Sequence, residues 1–211
     1  MRVKEAFDAS ARRAARLGID SIEVHCAHGY LLHQFLSPLA NQRTDEYGGS
    51  RGNRMRFPLE IFDAVRAAFP DDKPVGVRVS ATDWVEGGWN IENTIAFANE
   101  LKKRGVDRVD VSSGGVSRCK RFRSSREAVK EATGVTTVAV GLITEPKHAE
   151  EIIERGQADY VAIARGMLYD ARWLCHAAAE LGASVQAPPQ YWRSQPREQK
   201  HLFGDISIGQ R

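Results

Sequence analysis

A chain of 211 residues with 42% apolar and 27% charged side chains can bury a real core as one globular domain. The 30 Lys and Arg against 27 Asp and Glu leave a net charge of +3 with the two signs interleaved, which argues against a nucleic-acid surface. No apolar run reaches membrane-span length, Met1-Arg2-Val3-Lys4 opens an amphipathic helix and not a signal peptide, and three cysteines (26, 119 and 175) show no paired spacing, so a reducing, cytoplasmic setting is expected.

Residues 2–17 read as a helix: Val3, Phe7, Ala11, Ala14 and Ala15 recur at helical spacing, and Gly18 supplies the stop. A strand follows through His25. From Ile19 onward apolar and polar residues alternate, with Ile22 and Val24 on one face and Glu23 and His25 on the other. If the apolar pair packs under helices, His25 is delivered to the strand's C-terminal end on the inner face. His28 and Tyr30 follow in one loop. Two imidazoles and a phenol within six residues suit gripping a carbonyl oxygen and handing over a proton, although surface polar groups are the plainer account of the same residues. As a metal set His25, Cys26 and His28 are weak, because Cys26 falls on the opposite face and no further ligand cluster accompanies them.

Residues 29–50 read as a long loop rich in Gly, Pro, Asn and Asp, a type of segment that often carries function. Ser50 can cap a helix over 52–68 whose core stripe is Met55, Leu59, Phe62 and Phe69, with Pro58 tolerable only near its first turns. The next strand, 75–80, puts Val75, Val77 and Val79 on one face and Gly76, Arg78 and Ser80 on the other. A charge in such a strand is costly unless paired. Arg78 therefore either makes a buried ion pair, with Glu23 as a partner, or points at an anionic cofactor.

Asn90 can cap a helix over 91–104, ended by Gly105, and 109–112 is a strand running into Ser113-Gly114-Gly115. Ser124-x-x-Glu127 resembles a capping box for a helix ending near Gly134. The strand 138–141 leads to Thr144, a cap for a helix with Pro146 in its first turn. Residues 160–166 are the last strand and its turn, and Asp170 caps a helix to about Leu181. The tail from 183, with Pro188-Pro189-Gln190-Tyr191-Trp192-Arg193, is either a frayed end or an arm that docks on a partner.

This alternation is the pattern of βα units on parallel strands, so the class is α/β. Right-handed crossovers gather the strand C-termini at one end, where His25, Arg78, Ser112, Gly141 and Ala164 all sit. In a (β/α)8 barrel that end holds the active site, and a phosphate commonly binds at the turns after the last two strands. Gly141 and Ala164-Arg165-Gly166 occupy those turns; small residues let backbone N–H groups approach, and Arg165 adds a bidentate charge. The expected architecture is an incomplete (β/α)8 TIM barrel of about five parallel strands with flanking helices over 1–182, and an extended C-terminal tail over 183–211.

The run His25-Cys-Ala-His28-Gly-Tyr30 through Arg43-Thr-Asp-Glu-Tyr-Gly-Gly-Ser50 resembles the central signature of the Old Yellow Enzyme family, nearest its bacterial branch of FMN-dependent ene-reductases and NADPH dehydrogenases. The resemblance implies FMN and NAD(P)H as cofactors and an activated alkene, an enone or nitroalkene, as substrate. It implies that His25 and His28 hold the carbonyl or nitro oxygen while Tyr30 protonates the α-carbon, and that Arg78 lies against the flavin's N1/C2 edge. It implies that Gly141, Ala164 and Arg165 hold the FMN phosphate, and that Arg193 reaches into a neighbouring subunit, so a homo-oligomer is expected of the complete protein. Neither nucleic acid nor a membrane is an expected partner.

Three features depart from the family pattern. Met1 falls inside the helix before the family's fourth strand, so the first three strands and their flavin contacts are lacking. Gly52 stands where the family has Glu, and Cys119-Lys120-Arg121-Phe122-Arg123 replaces a longer segment. Open sheet edges favour pairing with another chain. The expectation is a truncated FMN-dependent oxidoreductase; the alternative is an inactive or FMN-poor remnant that acts by associating with a full-length relative.

Overall fold

The computed structural model describes residues 2–112, 122–204 and 206, and, of 122–124, the backbone alone. Ser113-Gly114-Gly115 and the departing segment from Cys119 to Arg121 therefore lie outside the described residues. Helix α1 (Arg2–Arg16) leads into β1 (Ile22–Cys26), and α2 (Leu31–Leu36) and α3 (Arg51–Ala68) precede β2 (Val75–Ser80). Then α4 (Ile91–Lys103), β3 (Arg108–Ser112), α5 (Phe122–Thr133) and β4 (Thr137–Val140) alternate. Helix α6 (Pro146–Glu154), β5 (Tyr160–Ala162), α7 (Arg165–Tyr169) and α8 (Trp173–Leu181) complete the order before a 3-10 turn at Pro189–Ser194.

The five strands form one parallel sheet in the order β1-β2-β3-β4-β5. The register aligns two kinds of row. Val24, Val77, Val109 and Thr137 lie side by side, and so do His25, Arg78, Asp110, Val138 and Tyr160. Because side chains alternate along a strand, the first row faces the helices and the second faces inward. The three valines of the helix-facing row are buried with Leu59, Phe62, Phe97 and Leu101 in the main core. Each such side chain contributes roughly 1.5–3 kcal/mol by leaving water. The inner face is free to be polar, which is why Glu23, His25, Arg78, Arg108 and Asp110 can stand on it in β1 to β3.

The helix caps at Ser50 and Asn90 hold as expected: each side chain accepts from the N–H three residues on. Elsewhere the structure departs from the sequence reading. The loop 29–50 contains α2, because Leu32, His33 and Leu36 bury one face of the run. Pro58 lies well inside the 18-residue α3 with its ring buried, not in the first turns. Helix α5 begins at Phe122, so Ser124 is inside it and not its cap.

The cap of α6 is Glu145, not Thr144, since the residue before Pro146 is held extended (φ −94, ψ 136). Asp170 ends α7, and Arg172 is the residue before α8. The last strand is only three residues long, and Arg165 opens a short helix instead of a plain turn. The tail folds back: Ala187, Leu202 and Phe203 pack with Ala178 of α8 and the Trp192 ring in a small satellite core. Among the described residues no helix is long and apolar enough to cross a membrane.

Candidate active site

At the C-terminal end of β1 the chain turns through two consecutive left-handed residues, His28 (φ 60) and Gly29 (φ 77). That conformation is uncommon for a residue with a Cβ, so something must hold it. Two inner-face serines do: the His28 N–H donates to Ser80 Oγ at 3.0 Å, and His28 Nε2 lies 2.7 Å from Ser112 Oγ. The Gly29 N–H donates to His33 Nδ1 at 2.8 Å, which leaves His33 Nε2 to carry the proton and donate to Asp83 Oδ1 at 2.9 Å. Asp83 Oδ2 accepts from Ser37 Oγ at 2.6 Å and from the Trp89 N–H at 2.8 Å.

Burial alone would raise the Asp83 carboxyl, but the bonds from His33, Ser37 and Trp89 hold it below the usual carboxylate range. The sequence reading missed His33 and Asp83. Local signals were slight: a polar residue on the buried face of Leu31-Leu32-His33-Gln34-Phe35-Leu36, and an acid in the loop after β2. Further along, Asn41 Nδ2 donates to the carbonyls of both Phe35 and Tyr47 at 2.7 Å. A Cβ on Gly48 would land on the Arg43 carbonyl, which accounts for Gly in the Tyr47-Gly48-Gly49 step.

The structure brings His25, His28 and Tyr30 together. The His25 ring lies 5.1 Å from that of His28 and 5.3 Å from that of Tyr30. Burial, and then the Arg78 guanidinium, hold both imidazoles below their ordinary pKa, so both are neutral donors near pH 7. His25 Nδ1 is buried without a hydrogen-bond partner among the described residues. Cys26 is fully buried on the helix-facing side, where burial pushes its thiol far up, so it cannot join the histidines as a ligand. Among the described residues no cluster of three metal-ligating side chains occurs.

Arg78 sits beside His25 in the register. Its Nε is buried without a hydrogen-bond partner, and among the described residues the guanidinium makes no ion pair, with Glu23 or any other carboxylate. His28, Arg78 and Ser112 line one end of a cleft of about 1140 Å³. Gly141, Ala164, Arg165 and Gly166 line it too, at the ends of β4 and β5. Gly141 has φ 114, open to glycine, and a Cβ on Gly166 would come 2.8 Å from Ile163 Cγ2. The Trp173 indole, which donates to the Thr144 carbonyl at 2.8 Å, and the His176–Asp170 pair at 2.6 Å wall the far side. Arg193 is not brought here; it is exposed on the 3-10 turn of the tail and does not line the cleft.

The cleft thus has, at one end, a guanidinium without an ion-pair partner among the described residues and the neutral His28 imidazole backed by the His25 ring, and at the other a small-residue turn with Arg165. Such a hollow is built for an elongated ligand with negative charge at both ends. An aromatic ring system that gains negative charge on reduction and ends in a phosphate fits both ends.

This is the site end of a parallel βα sheet, and the chain belongs to the NADH:flavin oxidoreductase / NADH oxidase family, whose profile matches residues 2–183. Among relatives, the chain is 44% identical over 195 residues to an NADPH dehydrogenase of Geobacillus thermodenitrificans (strain NG80-2), covering 90% of this chain and 57% of that protein. It is 44% identical over 201 residues to an NADPH dehydrogenase of Bacillus subtilis (strain 168), covering 91% of this chain and 59% of that one.

Among solved structures, morphinone reductase in complex with tetrahydroNAD superposes with a TM-score of 0.69 at 30% identity, over 88% of this chain and 50% of the other. A 2-naphthoyl-CoA reductase complex superposes with a TM-score of 0.78 at 27% identity, over 86% and 29%. The chain therefore spans a little over half the length of the NADPH dehydrogenases it matches, and its five strands form part of a TIM barrel. The family and these relatives imply FMN and a nicotinamide cofactor.

Proposed function

We propose that this chain forms the C-terminal part of an FMN-dependent oxidoreductase that uses NAD(P)H to reduce activated alkenes such as enones and nitroalkenes. The observation that carries the proposal is the Arg78 guanidinium, without an ion-pair partner among the described residues, sharing one cleft end with the neutral His28 imidazole, against which the His25 ring packs. Arg78 would hold the flavin's pyrimidine edge, and the turn of Gly141, Ala164 and Arg165 would hold its phosphate. FMN bound there would supply the hydride-transfer chemistry between NAD(P)H and the β-carbon of the alkene. The N–H groups of His25 and His28 grip the carbonyl or nitro oxygen and stabilise the charge that builds there. Tyr30, whose ring is exposed beside His25, donates its phenolic proton to the α-carbon.

Purified protein that takes up FMN and oxidises NADPH with an enone acceptor meets the expectation. Tyr30→Phe should then slow enone reduction by about 10²-fold or more while leaving FMN uptake unchanged, since general acid catalysis supplies about 10²–10⁴. Equal enone turnover in Tyr30→Phe removes Tyr30 from the reading, and failure of the wild type to bind FMN removes the cofactor assignment.

A second reading has its own support. Among the described residues β1 and β5 each have only one strand neighbour, and Leu168 and Tyr169 beside β5 are 86% and 96% exposed. Such edges and apolar surface suit association with another chain. In this reading the polypeptide is an FMN-poor remnant that pairs with a full-length relative. Its mark would be flavin-free, molten behaviour alone and co-purification with such a relative.

A further inference from the structure

We propose that Arg108 is a positioning residue: it holds the Asp110 carboxylate away from Arg78 and so leaves the Arg78 guanidinium open to the cleft. The inference rests on the proposed role of Arg78 toward a bound flavin.

Arg78 and Asp110 are register partners on adjacent parallel strands, with side chains on the same inner face. Opposite charges in that relation are expected to pair, and a buried carboxylate beside a half-buried guanidinium makes the pull stronger. Asp110 is 7% exposed, yet no ion pair with Arg78 forms. The cation that Asp110 meets is Arg108, two residues earlier on its own strand and therefore on the same face. Arg108 Nε is 3.4 Å from Asp110 Oδ1, an ion pair without hydrogen-bond geometry.

Arg108 is itself held from the far side. It reaches across β2 to donate from Nη1 to Ser21 Oγ at 2.7 Å, just before β1. Gly76 is what lets it pass: a Cβ there would lie 3.0 Å from Arg108 Cγ and 3.1 Å from its Nε and Cζ. The inner face of these three strands thus carries Glu23, His25, Arg78, Arg108 and Asp110, with Glu23 beside Asp110. Remove Arg108 and the guanidinium left beside Asp110 in the strand register is that of Arg78.

The test uses four variants of the full chain: Arg108→Leu, Arg108→Lys, Gly76→Ala, and the double variant Arg108→Leu with Asp110→Asn. The first readout needs no flavin. In ¹⁵N–¹H spectra of the flavin-free protein, the Arg78 Nε–H resonance, assigned through its loss in Arg78→Lys, should shift and exchange more slowly with water in Arg108→Leu. It should return to its wild-type position in the double variant, where Asp110 carries no charge.

The second readout is FMN affinity by fluorescence quenching. It should weaken about tenfold in Arg108→Leu, the order expected when one charged hydrogen-bond donor is diverted, and recover in the double variant. Arg108→Lys should stay near wild type, and Gly76→Ala, which displaces Arg108 without removing its charge, should move in the direction of Arg108→Leu. An unchanged Arg78 resonance in Arg108→Leu, or a defect the double variant fails to repair, overturns the proposal. Wild-type protein that takes up no FMN sinks the cofactor assignment while the resonance still decides this one. If Arg108→Leu does not fold, Gly76→Ala against wild type decides it by the same resonance.

Discussion

Removing the Asp83 carboxylate should loosen the whole active-site loop. In Asp83→Ala three donors lose their acceptor at once: His33 Nε2, Ser37 Oγ and the Trp89 N–H, bound at 2.9, 2.6 and 2.8 Å. The site is nearly dry, with the side chains of His33 and Asp83 only 9% and 10% exposed. A buried donor left unpaired costs about 1–3 kcal/mol, and losing one member of a buried pair costs about 3–5 kcal/mol. Water entering the space vacated by the carboxylate relieves part of this, so the expected loss is about 3–5 kcal/mol out of a total of about 5–15.

For a chain of this size each kcal/mol moves the melting temperature by about 2–4 °C, giving a fall of roughly 6–20 °C. Urea unfolding followed by tryptophan fluorescence should show a lower midpoint at an unchanged slope. A loss below about 1 kcal/mol would refute the view that Asp83 anchors the loop. The acid limb offers a check on sign. The Asp83 carboxyl is held below its unfolded value, so its stabilisation is complete above that value and is lost as pH falls through the lower folded one. Asp83→Asn should flatten stability over that acid window and leave neutral pH as the region of largest difference from wild type.

Three further outcomes are expected. In NMR titration both His25 and His28 should protonate below the ordinary histidine value of about 6.5, because burial and then Arg78 disfavour their charged forms, and Arg78→Met should raise both. Burial, then the Asp110 carboxyl, pushes Glu23 up to about 8 against the pull of Arg78 and Arg108, while the open side of the inner face lets water moderate the effect. A raised carboxyl stabilises the folded state below its unfolded value and progressively less as pH climbs toward 8, so Glu23→Gln should flatten stability across that window and be the more stable form at its upper end; a wild-type curve already flat there contradicts this. Gly48→Ala should lower stability by about 1–3 kcal/mol in thermal melts, because its Cβ would strike the Arg43 backbone carbonyl, which cannot move aside as a flexible side-chain tip could.

Much of this molecule was legible from local pattern. Alternation along β1 and β2 put Glu23, His25 and Arg78 inward and the valines under the helices, because a strand's period is fixed by its own backbone. Ser50 and Asn90 could be read as caps because the bond they make is to a residue three positions away. The starts of α6 and α8 were misplaced by one and two residues, where a pre-proline residue and the Trp173–Thr144 contact decided the entry.

What the sequence by itself determined is the parallel βα order and the face on which each polar residue stands. What only the tertiary structure decided is who partners whom on that face. Among the described residues Arg78 stays unpaired, Arg108 crosses Gly76 toward Ser21, and His33 meets Asp83 across 50 residues of chain. The physical reason is that a side chain's facing follows from the backbone of its own element, whereas the choice among several charges within reach depends on distances between strands that no local period encodes.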